Sequence, residues 1–225
     1  MIVAALQPGY LPWLGFFDLF KRSDLFVIED SLKYTKQDWR NRNRIRTSSG
    51  TAYLTVPVEG AAPSMPINEV RIDSGQTWAR RQWNLLEANY RRAPYWKAYS
   101  PFLHDGLFRP WERLIDLDLW FTDFFLREFA IKKSYILLSS LDVAFGPDKT
   151  QSLIDLTRVV GATGFIEGQS GKAFIDLEKF EAAGFEIAFQ EYRCVEYRQQ
   201  FDPFVSHLSA LDLLLNEGPG GARFI

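Results

Sequence analysis

The first thirty residues constrain the fold more than any other stretch of the chain. Ile2 to Leu6 is a short apolar run, followed by a Pro/Gly/aromatic loop from Gln7 to Trp13. Gly15 to Arg22 has helical spacing, with Phe16, Leu19 and Phe20 on one face. Leu25 to Ile28 is a second apolar run, closed by Glu29 and Asp30. Two strands joined through a helix are expected to run parallel, because a parallel pair needs a crossover of this length. The expected fold class is therefore α/β: a mainly parallel, Rossmann-like sheet with helices on both faces.

Further strands are expected at Thr51 to Val58, Ile67 to Ile72, Tyr135 to Leu138, around Phe165-Ile166 and at 185–189. A Gly/Pro/Ala turn separates the first two of these. Helical patterns cover about 77–92, 111–131, 150–160 and 209–216, with an aromatic, Pro-punctuated segment between the first pair. No linker or repeat interrupts the 225 residues, so they read as a single α/β domain, 1–225, with a mainly helical insertion at about 77–131. Apolar residues at 47% supply a sizeable core.

One cysteine excludes an internal disulfide framework and a Cys-based zinc site, and two histidines leave little for His-based metal chemistry. No metal or cofactor is expected. A net charge of −2 gives no global attraction to nucleic acid or to an anionic membrane. No 18-residue apolar run occurs, and the N-terminal one stops at Gln7-Pro8, so a cytoplasmic protein without membrane insertion is expected.

Polar groups fall at the ends of the apolar runs: Gln7, Glu29-Asp30, Ser139-Ser140, and the loop from Glu167 to Lys172. In open parallel sheets ligands bind beyond the carboxyl ends of the strands. Strand ends always meet polar turns, but four such groups together favour a true crevice. Gly168, Gln169, Ser170, Gly171 and Lys172 fit an anion cradle and, about equally, a plain turn. They are no Walker A loop, since Ala173 follows the lysine where Ser or Thr is needed.

From Lys33 to Arg46 the chain turns basic. Arg40, Arg42, Arg44 and Arg46 alternate, so on a strand all four guanidinium groups share a face. Guanidinium forks pair with phosphate oxygens, which suits a nucleotide or a nucleotide-sugar diphosphate. With Tyr34 and Trp39 beside them, single-stranded nucleic acid is a second guest, against which the balanced net charge argues. The bland alternative is an edge strand guarded by charge. Trp13-Leu14-Gly15-Phe16 occupies the slot of an H-x-G-H nucleotidyltransferase motif, with aromatics in place of both histidines. Cys194 reads as an incidental thiol, Asp116 and Asp118 as a solvated helix face, and Ser209 as the cap of the last helix.

Several segments, in order along nearly the whole chain, resemble the WbqC-like protein family of bacteria. They are Gln7-Pro8 with Tyr10-Leu11-Pro12-Trp13-Leu14-Gly15-Phe16-Phe17, then Ser23 to Asp30, Trp39-Arg40-Asn41-Arg42-Asn43-Arg44-Ile45 and Leu54 to Val58. Tyr90 to Tyr95, Ser139-Ser140, Gly168 to Asp176 and Leu208 to Asn216 complete the set. The chain departs from the family pattern at Glu29-Asp30, where two Asp are usual, and at Ser206-His207, where Pro-Asn is expected. The resemblance implies a setting in O-antigen or other surface-polysaccharide biosynthesis, and aminoacyl (glycyl) transfer to an amino sugar or related amine. Mapped onto the polar groups above, it implies Asp30 as proton acceptor with Gln7 beside it. Arg42, Asn43, Arg44 and Lys172 would hold a nucleotide-activated substrate, and Tyr10, Trp13 or Trp39 would stack on it. Ser139, Ser140, Gly168, Ser170 and Gly171 would complete the pocket. Two alternatives stay open: a non-catalytic nucleotide-sugar or partner-binding module, and a tailoring enzyme using an aminoacyl-tRNA or adenylate donor.

Overall fold

The computed structural model describes residues 1–60, 65–75 and 77–225. Its elements are β1 (Ile2–Leu6), α1 (Leu14–Arg22), β2 (Leu25–Ile28), β3 (Arg42–Thr47) and β4 (Gly50–Thr55). Then come α2 (Trp78–Tyr90), α3 (Trp96–Phe108), α4 (Leu114–Glu128), β5 (Tyr135–Leu137) and α5 (Lys149–Val159). The chain closes with β6 (Gly164–Glu167), α6 (Leu177–Ala182), β7 (Glu186–Phe189) and α7 (Ala210–Glu217). No helix among the described residues is long and apolar enough to cross a membrane.

These elements divide into two compact units. The first comprises Met1–Gln7, Gly15–Glu29 and Lys133–Arg193. It holds a five-stranded sheet in the order β5-β2-β1-β6-β7, and every pair in it is parallel. This is the α/β, Rossmann-like class expected from the first thirty residues. From β1 the chain steps outward through β2 to β5, then returns to the other side of β1 for β6 and β7. The direction of winding therefore reverses between β1 and β6. The inner strands are buried on both faces, as all four residues of β6 are, while β7 at the edge alternates between exposed and half-buried. Phe20 of α1 stacks on Phe26 of β2 with ring centroids 3.7 Å apart, and Phe16 adds an edge contact to the same ring at 5.3 Å.

The second unit comprises Pro8–Leu14, Asp30–Lys132 and Cys194–Ile225. Its hairpin pairs β3 with β4 antiparallel, from Arg42↔Thr55 to Thr47↔Gly50. The helices α2, α3, α4 and α7 supply most of the rest. The helix α3 was not legible as such: Pro101 lies inside it, and proline ordinarily marks a helix boundary. Packing overrides that preference. Phe102 stacks on Trp120 and Phe124 of α4 at 3.9 and 4.0 Å, and Gly106 leaves room for the Trp120 ring, which a Cβ there would meet at 2.2 Å.

The expected strand at Ile67 to Ile72 is not one. Ile67–Glu69 forms a single 3-10 turn after Pro66, and Ile72 joins only an isolated bridge to Val58. Ile67, Val70 and Ile72 are all buried, so the apolar pattern was real but its backbone is held by other partners. The Asn68 amide donates to the Asp30 carbonyl, for example, instead of to a neighbouring strand. The expected Gly/Pro/Ala turn falls partly on residues 61–64, which lie outside the described residues.

Candidate functional site

In the first unit all strands share one direction, so their carboxyl ends meet along one edge. Gln7 follows β1, Glu29 follows β2, Ser139 and Ser140 follow β5, and Glu167 ends β6. Glu29 and Glu167 are only 8% and 7% exposed. The Lys149 ammonium lies 3.9 Å from Glu29 Oε1. Glu167 Oε2 is buried without a hydrogen-bond partner. Burial pushes the Glu167 carboxyl above its ordinary value; Lys149 opposes that rise and Glu29 adds to it.

The neighbouring loop folds as a tight turn, the plainer of its two expected readings. Gln169–Ala173 is a 3-10 turn, with the Gly171 amide donating to the Gly168 carbonyl at 2.9 Å. Lys172 pairs with Glu191 at 3.3 Å. A Cβ on Gly171 would sit 2.4 Å from Glu167 Cγ, so the buried glutamate abuts the turn. Ser170 is exposed, and the Ser140 hydroxyl donates to the Leu137 carbonyl at 2.6 Å. The edge therefore carries two buried glutamates beside this turn.

The second unit holds the arginines, and they separate into two kinds. Arg40 precedes the strand and pairs with Asp38. Although burial pushes Asp38 up, the Trp39 amide, the Thr35 hydroxyl and Arg40 together hold its carboxyl below the ordinary value. Arg46 is 3% exposed and donates to the carbonyls of Thr47, Gly50, Asp202 and Pro203, which makes it a structural clasp. The expected row of four is thus a pair, because Arg40 lies off the strand and Arg46 is buried.

Arg42 and Arg44 remain half-exposed beside aromatic rings. The Arg42 guanidinium lies 4.6 Å from the centre of Tyr53, and that of Arg44 5.8 Å from Trp39. Tyr53 and Trp39 are 49% and 46% exposed. Gln37, Asp38, Trp39, Arg42 and Tyr53 line a cleft of about 130 Å³. A second cleft of about 300 Å³ shares Tyr53 and adds Trp78, Arg81 and Gln82. Trp13 stacks on His207 with centroids 5.5 Å apart.

Three other expected site residues face inward. Tyr10 is fully buried and its hydroxyl donates to Gln82 Oε1 at 2.7 Å. Asn43, 1% exposed, donates to the Leu11 carbonyl at 2.7 Å. Asp30, also 1% exposed, accepts from the Asn68 side chain at 3.2 Å. All three therefore lie beneath the surface.

Two carboxyl groups escaped the sequence reading. Glu167 was visible only as a loop's first residue, although it closes its apolar run as Glu29 closes another. Asp118 is not on a solvated face: it is 0% exposed in α4 with neither carboxylate oxygen partnered, while Asp116 is exposed as expected. The signal was present, since Leu114, Asp118, Phe121 and Phe125 share one helical stripe. Burial pushes the Asp118 carboxyl well above its ordinary value of 3.8. A group raised in the folded state favours folding most in acid, and that contribution is lost as pH rises from the unfolded value through the folded one. Asp118→Leu should therefore stabilise the protein by about 1–3 kcal/mol at neutral pH, with a gain that shrinks as the pH is lowered toward 4. Urea unfolding of both proteins across that range checks it; a variant less stable at pH 7 refutes it. Among the described residues no three His, Cys, Asp or Glu side chains are grouped to hold a metal ion.

The profile of the WbqC-like protein family matches residues 7–224 of the chain. An uncharacterized protein of Mycobacterium tuberculosis (strain ATCC 25618 / H37Rv), Rv1507c, is 33% identical over 226 aligned residues, covering 96% of this chain and 94% of its own length. No solved structure matches. The family motifs from Gln7 to Asn216 and these two matches span nearly the same residues, and the chain belongs to the WbqC-like protein family.

Proposed function

We propose that this protein is a cytoplasmic transferase that passes an acyl or aminoacyl group to the amine of a nucleotide-activated amino sugar or a related small molecule. The setting would be bacterial surface-polysaccharide or natural-product biosynthesis. One observation carries the reading: Arg42 and Arg44 of β3 each set a guanidinium group against a half-exposed aromatic ring, Tyr53 of β4 and Trp39 ahead of the hairpin. Arg42 and Arg44 supply paired donors for a diphosphate, and Trp39 or Tyr53 supplies a face for the base. Such a surface binds nucleoside diphosphates better than it binds neutral sugars. Family membership supports the biosynthetic setting.

In the transfer step the amine nitrogen attacks the activated carbonyl. The N–C bond forms, the bond from carbon to the leaving-group oxygen breaks, and the proton shed by the amine passes to a carboxylate. Asp30, buried at 1% exposure and held by Asn68, would take that role only for an amine that reaches below the surface, and positioning supplies most of the rate. The test is calorimetric titration with nucleoside diphosphates and their sugar conjugates. Arg42→Ala should weaken binding about tenfold to a hundredfold, the loss of one or two charge-assisted hydrogen bonds. Loss of turnover with retained binding in Asp30→Asn supports the transferase, whereas binding without any turnover by the wild-type protein would favour the non-catalytic binding module. Binding only of aminoacyl-adenylate analogues would favour the adenylate-dependent tailoring enzyme. Absence of binding by any nucleotide overturns the proposal.

A further inference from the structure

The segment Tyr90 to Tyr95, one of the family motifs, takes no part in the hairpin surface. Its two arginines, Arg91 and Arg92, follow directly on the end of α2 at Tyr90, and both are exposed. Among the described residues neither side chain forms a hydrogen bond or an ion pair, although Glu87 lies one helical turn before Arg91. With Ser48, Asn89, Gln200 and Phe201 they line most of a cleft of about 320 Å³, all of it within the second unit. The buried Arg46 guanidinium lies 5.9 Å from the centre of the Phe201 ring. Its donors go to backbone carbonyls, and its Nε has no partner. Asp212 feels that charge across space but is bonded to Tyr90, Tyr197 and Gln199 instead. Two guanidinium groups in the cleft, and a third beside its ring, are thus without a hydrogen-bonded carboxylate. The dipole of α2 rewards a cation near its carboxyl end, which accounts for one arginine. It calls for neither a second arginine nor a cleft with a ring.

We propose that this cleft binds a nucleoside monophosphate, with the phosphate between Arg91 and Arg92 and the base against Phe201. Guanidinium forks match phosphate oxygens in pairs, and an aromatic face stacks on any base. Gln200 donates its amide to Asn216 Oδ1 at 3.0 Å, which leaves its carbonyl oxygen for a ribose hydroxyl or an exocyclic amine. The volume lies at the small end of the range for ligand pockets, about 300–1,000 Å³, so a monophosphate suits it better than a nucleotide sugar. Arg42 and Thr47 end β3, about 16 Å apart at the usual rise per residue, and the cleft meets the hairpin at the far end from Arg42, through Ser48. It is therefore a second site, and it does not rest on the transferase reading.

Adenosine monophosphate, inorganic phosphate and adenosine, titrated at constant ionic strength, are the probes. In two-dimensional amide NMR the Ser48, Asn89 and Phe201 signals should shift saturably with the monophosphate and more weakly with phosphate or adenosine alone. Arg92→Ala should weaken monophosphate binding there about tenfold or more, the loss of one charge-assisted contact, and Arg92→Lys should restore only part of it. Phe201→Leu keeps the apolar bulk and removes the ring face. It should weaken the monophosphate about threefold or more while leaving inorganic phosphate unchanged. The Trp39 and Tyr53 signals report the hairpin surface separately, so failure of one site is distinguishable from failure of the other. If the arginines serve only the helix dipole, their loss lowers stability and no probe saturates the cleft, which overturns the proposal. Monophosphate binding that survives loss of both arginines overturns it too. So does saturation by a single-stranded RNA of about ten nucleotides but not by the monophosphate, which would make the cleft part of a nucleic-acid surface.

Discussion

Replacing Asp212 with alanine should cost about 3–5 kcal/mol of stability, the loss typical when one member of a buried charged network is removed. Asp212 lies in the first turn of α7 and is 0% exposed. Its carboxylate accepts from the Tyr90 hydroxyl, from the Tyr197 hydroxyl at 2.8 Å and from the Gln199 amide at 2.9 Å. The Tyr90 oxygen in turn accepts from the Arg46 amide of β3 at 2.9 Å. Alanine would strand two buried hydroxyls at once, while the half-buried Gln199 amide would keep its bond to the Val205 carbonyl at 2.9 Å. Asp212→Asn keeps the shape and one acceptor, so it should lose less than half as much. Urea denaturation measures both; a loss under about 1 kcal/mol for the alanine variant would mean that the network does not organise this unit.

Phe20→Ala tests the other unit and should also cost about 3–5 kcal/mol, the range for removing a large buried aromatic. The Phe20 ring is 0% exposed, stacks on Phe26, and makes an edge contact with Tyr135 at 6.2 Å. It therefore links α1 to two neighbouring strands, and no nearby side chain is free to fill the space it leaves. The seven tryptophans, at 13, 39, 78, 83, 96, 111 and 120, all belong to the second unit. Tryptophan fluorescence thus follows that unit, while circular dichroism follows both. If the two unfold cooperatively, Phe20→Ala will shift the fluorescence and dichroism midpoints together. A dichroism shift alone would show separate unfolding, and no shift in either would refute the packing argument.

The hairpin sets guanidinium groups beside exposed aromatic faces, whereas the edge of the parallel sheet carries buried carboxyl groups. The sequence reading favoured anion binding on the hairpin arginines and left the Gly168–Lys172 loop open between an anion cradle and a plain turn. A lysine beside two glycines looks the same in sequence whether or not an acid stands near it, and here Glu191 lies 3.3 Å away.

Much of the fold was written in local patterns. The strands at Ile2–Leu6 and Leu25–Ile28, the α1 face of Phe16, Leu19 and Phe20, and the Ser209 cap all follow from periodicity and side-chain chemistry within a few residues. So did the strand-end placement of Gln7, Glu29, Ser139 and Glu167, because direction in a parallel sheet is set by the βαβ connection itself. What local pattern could not decide was burial and partnership. Arg42 and Arg46 lie on one strand face, yet the first meets an exposed tyrosine and one nearby carbonyl, that of Gln37, and the second four backbone carbonyls, two of them more than 150 residues away in the chain. Asp116 and Asp118 are two residues apart on one helix, and only the packing of α4 makes one solvated and the other an orphaned interior acid. Side-chain type and spacing fix what a residue can offer; desolvation and long-range hydrogen bonds, which exist only once the chain has folded, decide whether the offer is still open.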